Sequence, residues 1–99
     1  MMRLTPSQKR YLRGLTHDLN PVVMTGNKGM TQAVLNEFEI ALDHHELIKV
    51  KLGCEDRRQR VAQIAALADA SGAELVQSIG RVACFYRRNT DQPKLALPK

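Results

Sequence analysis

The chain has 99 residues, 43% hydrophobic and 25% charged, with fifteen Lys and Arg against ten Asp and Glu for a net charge of +5. That length supports one globular core and leaves no room for a large enzyme built around a buried cofactor cavity. No stretch approaches the roughly 20 apolar residues of a membrane helix, the start Met1-Met2-Arg3-Leu4 lacks the apolar run of a secretion signal, and Cys54 and Cys84 are too few for a disulfide framework. A cytoplasmic protein with no membrane partner is expected.

The charge is segregated. Residues 1–28 hold five cations against one acid, residues 29–56 two against six, and residues 57–99 eight against three. Two basic blocks flank an acidic one, a pattern that suits a dipolar surface attracting a polyanion, although it also suits ordinary solubility.

In chain order, Thr5-Pro6-Ser7 opens a helix, with Thr as cap and Pro in the first turn, running to about Asp18. Leu4, Tyr11, Leu12, Leu15 and Leu19 share one face, and Arg3, Lys9, Arg10, Arg13 and His17 the other. The basic stripe contains no acid before Asp18, so its charges repel without local relief unless an external anion supplies it. Asn20-Pro21 breaks the helix, and Val22-Val23-Met24 reads as a short buried strand. The turn Gly26-Asn27-Lys28-Gly29 feeds a second helix, about Thr31 to His44, with Val34, Leu35, Phe38, Ala41 and Leu42 inward and Glu37, Glu39 and Asp43 outward. Leu47 to Leu52 alternates as a half-buried strand, Ile48, Val50 and Leu52 opposite Lys49 and Lys51. Asp56 caps a third helix, with Gln59 as a capping-box partner, an inner stripe of Val61, Ile64, Ala65 and Ala68, and Gly72 as the stop. Ala73 to Ile79 and Val82 to Tyr86 form an antiparallel hairpin through Gly80-Arg81. Residues 1–88 thus read as one domain in the order α-β-α-β-α-β-β, and residues 89–99 as an extended tail held at most by Leu95 and Leu97.

The glycine turn is the most suggestive feature. Its glycines allow close backbone approach, it precedes a helix N-terminus where N–H groups and the dipole favour an anion, and Lys28 adds a full charge. The spacing fits neither a Walker loop nor a dinucleotide fingerprint, and a four-residue G-x-x-G occurs often as a plain strand-to-helix turn. Arg57, Arg58 and Arg60 stand in the first turn of the third helix, where cations oppose the dipole; pairing with Glu55 and Asp56 is the simplest relief, an RNA contact the other. His44 and His45 are adjacent and diverge by about 100° on a helix, His17 is distant, and neither cysteine has an evident base, so no catalytic residue, metal site or cofactor is expected. With Tyr11, Phe38, Phe85 and Tyr86 the only rings, a base-stacking aromatic sheet is poorly supplied.

Taken together, Leu19-Asn20-Pro21-Val22-Val23, the loop Gly26-Asn27-Lys28-Gly29, the run His45-Glu46-Leu47-Ile48-Lys49-Val50-Lys51, and Ile79-Gly80-Arg81 through Tyr86-Arg87 resemble the CRM domain family, named for chloroplast RNA splicing and ribosome maturation. The likeness covers about residues 4–87 and is greatest to the stand-alone bacterial, YhbY-like members. It implies a single two-layer α/β domain with a four-stranded mixed sheet, similar to the C-terminal domain of translation initiation factor three. It also implies a glycine loop acting like that of KH domains, with Gly26, Asn27, Lys28 and Gly29 on the RNA backbone. The expected function is therefore a monomeric, non-enzymatic RNA-binding protein that contacts ribosomal RNA in large-subunit precursors. Lys9, Arg10, Arg13, Lys51, Arg57, Arg58 and Arg60 would extend the contact. Two rivals stand beside it: an adaptor whose acidic second helix docks a ribosomal protein, and a small RNA-modifying or nuclease subunit supported only by the His and Cys residues.

Overall fold

Local chemistry sets most element boundaries in the residues described, 4–26 and 31–98 of the computed structural model. Thr5 and Gln8 close a reciprocal capping box, each side chain bonding the other's backbone N–H at 3.1 and 2.9 Å, and α1 runs from Pro6 to Thr16. It is followed by β1 (Pro21–Met24), α2 (Gln32–His45), β2 (Leu47–Lys51), α3 (Arg57–Ser71), β3 (Glu74–Ile79) and β4 (Val82–Tyr86), the order that the periodicity predicts. Thr31 caps α2 through the N–H of Val34, and Gly72 ends α3 at φ 74°, in the left-handed region where a Cβ is strained. At the third helix the cap is one-sided: Asp56 accepts from the N–H of Arg58 at 2.9 Å, and among the described residues Gln59 returns no bond.

The four strands form one mixed sheet in the order β1-β2-β4-β3, with β1 parallel to β2 and the remaining pairs antiparallel. Its layers number three rather than the expected two. The side chains of β4 alternate between two cores: Ala83 and Phe85 join Phe38, Leu42 and Leu67 from α2 and α3, while Cys84 and Tyr86 join Leu12 from α1. Helices therefore cover both faces. Two apolar faces were already encoded in the near-continuous run Val82-Ala83-Cys84-Phe85-Tyr86, which a one-sided sheet would not tolerate. Phe38 and Phe85 anchor the larger core, edge to face with centroids 5.0 Å apart.

Two inner stripes differ from the sequence pattern. Tyr11 lies 42% exposed, so Leu12 is the fully buried anchor of α1. On α3, Val61 is 58% exposed and Ala65 is also outside, while Gln63 and Leu67 turn inward. The inward stripe is Gln63-Ile64-Leu67-Ala68: Leu67 is fully buried on it, and Gln63 is accommodated there by accepting a hydrogen bond from buried Thr25 at 3.0 Å.

The segment after β4 is held by more than its leucines. Leu95 and Leu97 pack on the α1-side core, and the fully buried carboxylate of Glu46 accepts the backbone N–H groups of Asn89, Lys94 and Leu95 at 2.7, 2.6 and 2.7 Å. Glu46 also closes α2, at φ 64° and ψ −48°, a conformation costly for a side-chain-bearing residue. Its three charge-assisted bonds offset that strain.

Candidate nucleic-acid interface

A parallel β-α-β arrangement brings the C-terminal ends of its strands and the N-termini of the following helices to one edge of the sheet, where open α/β sheets take their ligands. Here that edge collects the exit of β1 at Met24, the exit of β2 at Lys51, the N-caps Thr31 and Asp56, and the β3–β4 turn at Gly80-Arg81. The sequence-predicted loop Gly26-Asn27-Lys28-Gly29 starts at this edge; Asn27, Lys28 and Gly29 lie outside the described residues.

The stem of that loop is clamped. The hydroxyl of Thr25, buried, donates to Gln63 and accepts from the N–H of Gly53 at 2.9 Å, while its own N–H bonds the carbonyl of Lys51 at 2.9 Å. Gly53 packs so closely that a Cβ there would stand 2.1 Å from the Thr25 carbonyl oxygen, so only glycine fits. Gly26 is the opposite case: among the described residues a Cβ would meet nothing within 4 Å. Neither crowding nor a left-handed φ requires glycine at its position.

The predicted cations fall into two groups. Lys51, Arg57 and Arg58 are exposed at the loop edge, and among the described residues no carboxylate oxygen lies within 4 Å of their charged side-chain nitrogens. The expected relief through Glu55 and Asp56 does not occur, because Glu55 pairs with Arg81 at 3.3 Å and the Asp56 side chain is taken by the helix cap. Arg60 turns back onto the carbonyls of Cys54 and Glu55, stapling the turn that precedes α3, and lines a shallow cleft with Arg57, Val61, Ser78 and Gly80. The second group sits on α1, across the sheet from α3. Arg10 and Arg13 are exposed there, whereas Lys9 is paired with Glu74 at 3.4 Å toward the far end of the sheet. The structure therefore joins Lys51, Arg57 and Arg58 to the loop stem and separates Lys9 from it.

The other chemistry-bearing side chains are placed as follows. The rings of His44 and His45, the last two residues of α2, meet edge to face with centroids 4.8 Å apart. Among the described residues no group of three or more His, Cys, Asp or Glu is arranged to hold a metal ion. Both cysteines are buried, and burial pushes the Cys84 thiol up, against smaller lowering effects of the Lys49 charge and a hydrogen bond with Thr16. Among the described residues no helix is long and apolar enough to cross a membrane.

Sequence reasoning missed Gly53, Thr25, Gln63 and the tail-holding role of Glu46. A glycine directly after a strand, Leu52-Gly53-Cys54, is a weak signal of close backbone approach; the partnership of Thr25 with Gln63, 38 residues apart, has no local signature.

The CRS1/YhbY (CRM) domain profile matches residues 4–87. A Haemophilus influenzae protein named as an RNA-binding protein is 46% identical over 99 residues, covering 100% of this chain and 99% of its own. Proteins named as probable RNA-binding proteins are 46% identical over 88 residues in Pseudomonas aeruginosa, covering 89% of this chain and 85% of that one, and 35% identical over 97 residues in Bacillus subtilis, covering 96% and 99%. The solution structure of a hypothetical protein from Staphylococcus aureus superposes with a TM-score of 0.83 at 32% identity, covering 97% of this chain and 100% of that one. The domain match and the fold agree, and the chain belongs to the CRS1/YhbY (CRM) domain family.

Proposed function

We propose that this chain binds RNA through the loop edge of its sheet, acting by binding and not by catalysis. The observation that carries the reading is the set Lys51, Arg57 and Arg58: three exposed cations at one edge, two of them against the positive end of a helix dipole, with no carboxylate within reach among the described residues. Cations so placed have no counter-charge among the described residues, and phosphate oxygens supply one. Gly26 supports the same reading: among the described residues nothing requires glycine there, and the missing side chain leaves room for a ligand backbone to pass close by. Gly26, Asn27, Lys28 and Gly29 then hold phosphates, and Arg10 and Arg13 form a separate, outer contact.

The RNA is proposed to be ribosomal, within precursors of the large subunit, and the protein to act there as a cytoplasmic monomer that assists assembly. The full-length likeness to proteins named for RNA binding and the basic flanking blocks support RNA as the partner. The acidic helix of the adaptor reading is largely occupied: Arg87 binds Glu39 at 2.6 Å and Asp43 at 2.8 Å, which leaves Glu37 as the α2 acid with no cation within 4 Å among the described residues. Crosslinking in growing cells followed by sequencing of the attached RNA tests the assignment. Reads concentrated in large-subunit ribosomal RNA are the expected result; co-sedimentation with ribosomal particles that survives nuclease and high salt would overturn it in favour of the adaptor.

A further inference from the structure

Met24, Lys51, Val82 and Ile79 make one transverse row across all four strands, paired consecutively through β1, β2, β4 and β3. Paired residues point to the same face, and Val82 packs at the margin of the α1-side core, so the row lies on the face that α1 covers elsewhere. Helix α1 does not reach it. Its start is tied to the other end of the sheet, where the Leu4 N–H bonds the Glu74 carboxylate at 3.0 Å, and its buried contacts are Leu47, Val76, Cys84 and Tyr86. Met24 and Ile79 are left 62% and 65% exposed beside an exposed Lys51.

The charges select the occupant of this platform. Lys51 lies in the row and Lys49 in the next one, opposite Cys84. The single carboxylate contributed by any strand, Glu74, is at the far end and is taken by Lys9 and the Leu4 N–H. A row with three apolar members and Lys51 as its one charged member fits a ligand with apolar faces and an anionic backbone, and Gly26 follows β1 at the edge proposed above to hold phosphates. We infer that the row Met24-Lys51-Val82-Ile79 seats unpaired nucleobases of the bound RNA, with Met24 and Ile79 against base faces and Lys51 on the adjoining phosphate. This rests on the RNA-binding reading above. Four strands span the width on which sheet-type RNA binders lay two or three bases. Aromatic rings are not required for it, since a thioether and a branched aliphatic side chain both make favourable contact with a π-face.

The test compares two RNAs of equal length and charge, one a hairpin with a purine-rich unpaired loop and the other a blunt duplex, against the full chain and the double variant Met24→Ser/Ile79→Ser. Both positions are exposed, so the variant should keep its thermal midpoint, which is measured alongside. The expected result is about a tenfold loss of affinity for the looped hairpin, unchanged affinity for the duplex, and an unchanged salt dependence for both. Equal loss on the two RNAs, or no loss on either, would overturn the base-seating assignment while leaving RNA binding intact. Failure of the unsubstituted chain to bind either RNA in dilute buffer would overturn the RNA-binding reading itself, and this inference with it.

Discussion

Substituting Gly53 by alanine probes the clamp beneath the loop most sharply. The added methyl would stand 2.1 Å from the Thr25 carbonyl oxygen, so β1 and the β2 exit must separate by about 1 Å before the contact becomes tolerable. That shift acts on the two bonds made by the Thr25 hydroxyl, one of them to buried Gln63. Overpacking of this kind costs about 1–3 kcal/mol, and weakening a buried hydrogen bond adds about 1 kcal/mol, for a total of about 2–4 kcal/mol. With a urea m-value of about 1–1.5 kcal/mol/M for a chain of this size, the midpoint should fall by about 2 M. Gly26→Ala is the matched control: among the described residues nothing lies within 4 Å of the added Cβ, so the midpoint should move by less than about 0.5 kcal/mol equivalent. A Gly53→Ala protein as stable as the parent would refute the clamp.

Other outcomes follow from the same contacts. Despite its stability, Gly26→Ala should weaken RNA binding several-fold in filter-binding or fluorescence titrations, and unchanged affinity would remove the close-approach argument. Glu46→Ala leaves three N–H groups without their acceptor and should cost about 2–4 kcal/mol, discounted by whatever water the released segment recruits. Amide exchange at Lys94 and Leu95 should then approach the unprotected rate, and retained protection would contradict the assignment. Because burial raises the Cys84 thiol above its ordinary 9.0, the unfolded chain ionises first as pH rises. The stability contributed by this group is full below the ordinary thiol range and is lost as pH climbs through it toward the folded value. The urea midpoint should therefore decline above about pH 8, and Cys84→Ser should flatten that decline. Tyr86, raised by burial and by the Glu46 charge against an opposing Arg88, adds a further decline at higher pH that the serine variant retains.

Order and type of elements were legible because each carried a local signal: Thr5 with Gln8, Gly72 at φ 74°, Gly80 at φ 56° in the hairpin, and the alternation of Ile48, Val50 and Leu52. The third layer was written in β4, whose five residues all face a core, but alternation between two cores and burial of one continuous run look alike in sequence. Helix α3 misled because its inward position is held by Gln63, a polar residue that apolar periodicity passes over. For the site, the cations were visible and their pairing was not. Whether Glu55 relieves Arg57 or reaches Arg81 depends on the β3–β4 turn packing beside the α3 N-terminus, a contact between segments more than twenty residues apart. Glu46 was read as a helix end, which it is, yet its carboxylate serves residues 43 to 49 positions downstream, beyond any sequence window.

Salt titration of RNA binding tests the central claim most directly. Converting Lys51, Arg57 and Arg58 together to alanine leaves the fold intact, since all three are exposed and removing cations from the first turn of α3 relieves an unfavourable dipole contact. If each of the three neutralises one phosphate, the slope of log affinity against log salt for single-stranded RNA becomes shallower by about 2, with a corresponding loss of affinity at low salt. A triple variant with the parent's slope and affinity would show that this edge does not hold the RNA backbone.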